Sequence, residues 1–210
     1  MNEQELCERM VLHGRSLYDR GLTSGSSGNI SVRVDNGILV TPTNSCLGRL
    51  SPNRISKIDL QGNLLSGDKP SKETFLHLAM YRSRPSDHAI VHLHSTYSVA
   101  VSCLANVDPD DVLPPITAYY IMRVGRLPLV SYYPPGDPAL AGEVERVATT
   151  SRAMLLANHG PVVSATDLDS AVYAVEELEE TAKLHLLLLD KLTRYLNPEQ
   201  CEELRRRFPS

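Results

Sequence analysis

Val91-His92-Leu93-His94 is the segment of this 210-residue chain with the sharpest chemical content. On a strand, residues two apart leave by the same face, so both imidazoles aim at one point. Two imidazoles on one face suit a first-row divalent metal, usually zinc; the plainer alternative is two satisfied polar side chains at a strand end. His159 follows the apolar run Leu155-Leu156-Ala157 and Asn158 and precedes Gly160-Pro161, which puts its ring at a strand's carboxyl end. Groups held there by a rigid sheet are often catalytic, although a lone turn histidine is more often only solvated or hydrogen-bonded. Glu73, in Lys69-Pro70-Ser71-Lys72-Glu73, opens a helix. The helix dipole alone favours a carboxylate there; the functional reading is that it caps a metal and then serves as a base. His77 shares a helical face with Glu73 and either orients that carboxylate or packs. His13, His88 and His185 read as surface or helix-face histidines.

Two further segments can hold an anion. Gly25-Ser26-Ser27-Gly28-Asn29 offers unobstructed backbone amides and hydroxyls, the makings of an anion nest or simply of a flexible turn. No Gly-Lys-Ser/Thr follows, so it is not a P-loop. Ser71 and Lys72 add a hydroxyl and an ammonium to a helix N-terminus.

The elements that must carry these groups are legible in outline. Asn2 and Glu5 form a capping-box pattern before a helix that ends at Gly21. Asp35-Asn36-Gly37 between Ile30–Val34 and Ile38–Thr41 reads as a hairpin. Residues 42–52 read as loop and Ile55–Asp59 as a strand. A helix over Lys72–Arg82 takes Ser71 as its N-cap. Ala89–Leu93 reads as a buried strand, Thr96–Leu104 as a helix, and Asp108–Pro115 as a proline-rich connection. Short strands follow over Arg123–Val130, a helix over Pro138–Thr149, and strands at Ala153–Ala157 and Pro161–Ser164. Asp167–Leu196 reads as one long amphipathic helix and Pro198–Arg207 as a terminal one. This order predicts an α/β chain: a single three-layer α/β/α domain over residues 1–210, with a mostly antiparallel central sheet.

Composition narrows the function. Hydrophobic residues make up 42 % and charged ones 22 %, an ordinary globular mixture, and the formal net charge is −4. No basic footprint for nucleic acid is present. No apolar run approaches a membrane span, and the polar start lacks a signal peptide's apolar core. Cys7, Cys46, Cys103 and Cys201 are scattered and form no CxxC pair, as expected of reduced thiols in the cytoplasm.

Taken in order, Gly-Asn-Ile-Ser-Val-Arg at 28–33, Thr-Pro-Thr at 41–43, Pro-Ser-Lys-Glu at 70–73, His-Leu-His at 92–94 and Asn-His-Gly at 158–160 resemble the class II aldolase/adducin family. The resemblance runs from about Leu6 to Leu189. It implies that His92, His94 and His159 bind one zinc ion per subunit, with Glu73 as fourth ligand and acid/base. It implies that Gly28, Asn29, Thr43, Asn44, Ser71 and Lys72 hold a substrate phosphate. It also implies that Tyr119 serves a neighbouring subunit's site in a homotetramer. Where aldolases carry Ser-Ser before the glutamate, this chain has Ser71-Lys72, and Tyr119-Tyr120-Ile121-Met122-Arg123 is more basic than their counterpart. With the stretch 41–50 and His94-Ser95-Thr96, these features are closer to the members that decarboxylate 3-oxo-tetronate 4-phosphate. The products there are dihydroxyacetone phosphate and carbon dioxide, formed through a metal-stabilised enediolate. Lys72 and Arg123 would suit a substrate bearing both phosphate and carboxylate. The alternatives are aldol cleavage or epimerisation of a phosphorylated ketose, and a non-catalytic adducin-like binding module.

Overall fold

The computed structural model describes residues 2–134 and 136–208. Asn2 and Glu5 close their reciprocal capping box, at 2.9 and 3.0 Å, and start α1 (Glu3–Asp19). A small-residue loop leads to β1 (Asn29–Val34) and β2 (Gly37–Val40), joined across Asp35-Asn36 as the hairpin pattern predicts. Two 3-10 turns, Leu47–Arg49 and Pro52–Arg54, interrupt the expected loop. β3 (Ser56–Ile58) and β4 (Leu64–Ser66) follow, then α2 (Thr74–Ser83) and β5 (Ala89–His92). The second half runs α3 (Thr96–Ser102), α4 (Ala118–Arg123), β6 (Leu129–Val130), α5 (Ala139–Ala148), β7 (Ala153–Leu156), β8 (Gly160–Ala165), α6 (Leu168–Leu188) and α7 (Pro198–Arg207).

The eight strands form one sheet in the order β4-β3-β2-β1-β5-β8-β7-β6. Alternate residues feed two apolar layers, as the two-residue period of a strand demands. Ala89, Val91 and Leu93 face a cluster shared with α1, α3, α4, α6 and α7, while Ile90 faces one shared with α2 and α5. His92 has the parity of Ile90, so its ring emerges on the side of α2, whose first turn follows Glu73.

Several expectations need correcting. The sheet is mixed, because β6 runs parallel to β7 at one edge. The cause is local: α5 lies between them as a crossover, and such a crossover returns the chain in the same direction. Helix α2 begins at Thr74 with Glu73 in the N-cap position, so Ser71 is not the cap. The Ser71 hydroxyl instead accepts from the Glu73 amide at 3.2 Å. β5 ends at His92, which leaves His94 beyond the strand. The short helix α4, capped by Thr117 Oγ1 on the Tyr120 amide, lies where the sequence showed no clear periodicity. Only Leu129–Val130 of the strands expected over Arg123–Val130 forms. Helix α6 stops at Leu188: Leu189 turns extended, Asp190 takes φ 62°, and Leu192 has no apolar surface to meet.

One long-range tie fixes the segment after His94. Glu179 of α6, only 7 % exposed, accepts from the Tyr97 amide (2.8 Å), the Ser98 amide (2.8 Å) and the Ser98 hydroxyl (2.6 Å). It thereby satisfies the free amides that open α3.

Candidate metal centre and anion cradle

Three chain segments bring the metal-ligating types together. Glu73 comes from the start of α2, His92 and His94 from the end of β5, and His159 from the turn between β7 and β8. That turn depends on Gly160. A Cβ there would lie 2.3 Å from the Leu93 carbonyl oxygen, and its φ of +147° suits glycine.

The four donor atoms lie within 4.8 Å of one another. His92 Nδ1 donates to the Pro161 carbonyl oxygen at 2.8 Å, which leaves a lone pair on Nε2. His94 Nε2 and His159 Nε2 stand 3.1 and 3.3 Å from that atom and 3.1 Å from each other. Glu73 Oε1 is 3.1 Å from His159 Nε2, and Oε2 is 3.5 Å from His92 Nε2. Each ring nitrogen offers one proton or one lone pair, so the three sides of this triangle cannot all be hydrogen bonds. A cation among them removes the conflict. Ligand arms of ~2.0–2.1 Å in a tetrahedron give vertex separations of ~3.3–3.4 Å, close to those measured. The donor set therefore fits a tetrahedral divalent metal.

The electrostatics agree. Burial pushes His92 down to about 3, against the pull of Glu73, and it lowers His94 as well. Both rings are thus neutral at physiological pH, as coordination requires. Burial opposes ionising Glu73, but hydrogen bonds from His159 and Asn29 outweigh it and hold the carboxyl well below its usual range.

All six residues singled out for phosphate (Gly28, Asn29, Thr43, Asn44, Ser71, Lys72) line one cavity of about 260 Å³, together with Glu73 and His94. Its walls are tied to each other. Pro42 and Pro70 form an isolated bridge, the Thr43 amide donates to the Lys69 carbonyl at 2.9 Å, and the Ser71 amide donates to that of Thr41 at 3.2 Å. Gly28 lets the Ser/Gly loop approach the metal strand, since a Cβ would sit 3.0 Å from the His92 carbonyl oxygen at φ +79°. Lys72 is exposed and makes no ion pair among the described residues.

A second cavity, of about 620 Å³, lies on the other side of Glu73 and His94 and adds Thr96, Tyr132, Tyr133, Asn158 and His159. The sequence marked neither tyrosine, because nothing local ties residues 132–133 to histidines of other strands. Tyr119 is not brought into this site. It is 58 % exposed on α4, where Arg123 stacks on it at 5.9 Å and on Tyr173 at 5.5 Å, outside both cavities. His77 neither reaches the donor cluster nor merely packs; it bonds Asn29, which in turn bonds Glu73. His13 pairs with Asp169 at 2.7 Å, far from this chemistry.

Residues 8–186 match the model of the class II aldolase and adducin N-terminal domain. The chain is 54 % identical over 201 residues to a 3-oxo-tetronate 4-phosphate decarboxylase of Haemophilus influenzae, covering 95 % of this chain and 96 % of that one. It is 40 % identical to an L-fuculose phosphate aldolase of Methanocaldococcus jannaschii, over 83 % of this chain and 92 % of the other. A crystal structure from Escherichia coli, its activity given provisionally as aldolase, epimerase or decarboxylase, superposes with a TM-score of 0.95. It is 49 % identical, over 97 % of this chain and 99 % of that one.

Proposed function

Because the chain belongs to the class II aldolase and adducin family, we propose that it decarboxylates 3-oxo-tetronate 4-phosphate to dihydroxyacetone phosphate and carbon dioxide. The single observation that carries the reading is the junction of Glu73, His92, His94 and His159 with the anion cradle in one cleft. A binding module has no need of four converging donors.

Glu73, His92, His94 and His159 would hold a divalent ion, which would supply Lewis-acid charge against the negative charge left on substrate when the carbon–carbon bond breaks. The chain's own residues do the rest. Gly28, Asn29, Thr43, Asn44 and Ser71 line the phosphate site, the Thr43 and Ser71 hydroxyls donate to it while their amides brace the cradle, and Lys72 adds the positive charge that a doubly anionic substrate requires. Glu73, at the boundary of both cavities, would take up a proton from solvent once substrate takes its place beside the histidines, and would pass that proton to the substrate carbon that has lost carbon dioxide. Carbon dioxide leaves without a proton, so one acid/base group suffices.

The same reading makes the ion zinc, one per subunit, on the strength of three imidazoles and one carboxylate. It makes the assembly a homotetramer in which Tyr119, exposed here, reaches a neighbouring copy's site. It treats residues 1–210 as one domain, of which Met1, Pro135, Pro209 and Ser210 lie outside the described residues. It assigns the chain to the cytoplasm, without nucleic-acid or membrane partners; no helix among the described residues is long and apolar enough to cross a membrane.

The test is turnover of 3-oxo-tetronate 4-phosphate by zinc-loaded protein, with carbon dioxide and dihydroxyacetone phosphate followed together. Equimolar appearance of both, abolished by a chelator and by Glu73→Gln, is expected. Neither product from protein that holds zinc refutes the substrate and leaves aldol cleavage of a ketose phosphate, the activity of the archaeal relative, as the reading to test.

A further inference from the structure

Behind Glu73 a row of buried polar side chains runs from Asn29, at the edge of the phosphate cradle, through His77 and Ser31 to Tyr81, three residues that neither the metal cluster nor the cradle uses. Its donors and acceptors can be assigned from one end. The Glu73 carboxylate only accepts, so the Asn29 amide must turn its NH₂ to Oε2, 2.7 Å away. Asn29 Oδ1 then faces His77 Nε2 at 2.5 Å, and a carbonyl oxygen also only accepts. His77 therefore carries its proton on Nε2 and a lone pair on Nδ1. The Ser31 hydroxyl, 2.7 Å from Nδ1, donates to it, and the Tyr81 hydroxyl, 2.9 Å from Ser31 Oγ, donates in turn to Ser31, with the His88 carbonyl oxygen a longer second acceptor at 3.4 Å.

Every member is enclosed: Ser31 and His77 are fully buried, Asn29 and Tyr81 nearly so. Water cannot substitute for a lost partner, and burial also holds His77 down to about 4, in its neutral one-proton form. Chains of this kind select one orientation because any reversal sets two donors or two acceptors against each other.

We infer that Tyr81, Ser31 and His77 are positioning residues that lock the Asn29 amide with its donors toward Glu73, and that this lock sets how tightly the cluster retains its metal. Flipping Asn29 would place Oδ1 against the carboxylate and push Glu73 away from the histidines. Partners one step behind a ligand commonly change metal affinity 10–100-fold when removed. The inference rests on Glu73 being a metal ligand, and needs nothing from the identity of the substrate.

The first measurement is made on the unmodified, chelator-treated protein. Long-range ¹H–¹⁵N NMR should show His77 as the neutral Nε2–H tautomer at neutral pH; an Nδ1–H tautomer or an imidazolium overturns the assignment. The second is zinc affinity by competition with a chromophoric chelator. Ser31→Ala touches neither Asn29 nor Glu73, and, standing three hydrogen bonds behind the ligand, should raise the zinc dissociation constant by about 3–10-fold, less than the ~10–100-fold typical of a ligand's immediate partner. His77→Leu should do the same, whereas His77→Gln, which restores an N–H donor to Asn29, should recover most of the affinity. Unchanged zinc affinity in folded Ser31→Ala and His77→Leu overturns the inference. If those variants do not fold, the tautomer of the unmodified protein decides. A wild-type protein that binds no zinc overturns this inference together with the metal reading. Zinc binding that responds as expected, without decarboxylation, supports the lock and sinks only the substrate.

Discussion

Glu179→Gln changes a single oxygen of a buried side chain, and its cost can be worked from three hydrogen bonds. In the native protein Oε1 accepts from the Tyr97 amide, and Oε2 accepts from both the amide and the hydroxyl of Ser98. A glutamine keeps one acceptor. Its best placement leaves the oxygen on Ser98 and turns the NH₂ toward the Tyr97 amide, so that two donors meet. The stranded amide costs ~1–3 kcal/mol, and losing charge assistance on the other two bonds costs roughly 1 kcal/mol more. A total near 3 kcal/mol corresponds to a fall in Tm of about 6–12 °C for a chain of this length. Urea and thermal unfolding in the presence of a chelator would measure this without the contribution of bound metal. The affected turn begins directly after His94, so zinc affinity should fall in parallel. A loss below about 1 kcal/mol would refute the reasoning, because it would mean the α3 amides find other partners at no cost.

Gly160→Ala should be harsher than its size suggests: the new methyl would meet the Leu93 carbonyl oxygen in a backbone conformation alanine resists, and His159 would move with it. Zinc binding should be lost even where circular dichroism shows the fold retained, and a variant with native zinc affinity would contradict the role given to this turn. The metal-free protein should also weaken in mild acid. Burial lowers His77 to about 4 and His92 to about 3 in the folded state, while an exposed histidine titrates near ~6.5. Protons therefore favour the unfolded chain below about pH 6.5, so stability present above that pH is lost as pH falls toward 4. A urea midpoint that stays flat between pH 6.5 and 4.5 would show that these rings are not buried and neutral.

Much of the centre was legible because its residues lie at abrupt ends of apolar runs. His92 and His94 follow Ala89–Val91, His159 follows Leu155–Ala157, and Gly160-Pro161 marks the exit after His159. The premise that both of the first two histidines ride on a strand was wrong for His94, yet their rings converge with centroids 5.0 Å apart. What stayed hidden depends on neighbours distant in the chain. Ser31, His77 and Tyr81 meet only because β1 lies under α2. Glu179 looks like any glutamate on an acidic helix until α3 is set against it. The parallel edge strand has two residues, too few to carry a pattern. Helix α6 was overextended for the opposite reason: Leu186–Leu189 continue the apolar character, and nothing local reveals that no partner surface waits beyond Leu188.

Three of the four donors of the cluster have their own tether in the protein: His92 on the Pro161 carbonyl, Glu73 on the Asn29 amide, His159 in a glycine-closed turn. An arriving ion thus trades its water shell for ligands already in place and need not organise the chain around itself. Loading becomes a matter of supply, exchangeable after folding is complete. Because the ion joins three segments that only the folded state assembles, each tenfold rise in free metal above the dissociation constant adds about 1.4 kcal/mol to stability. The metal content of the surroundings is then readable as a melting temperature.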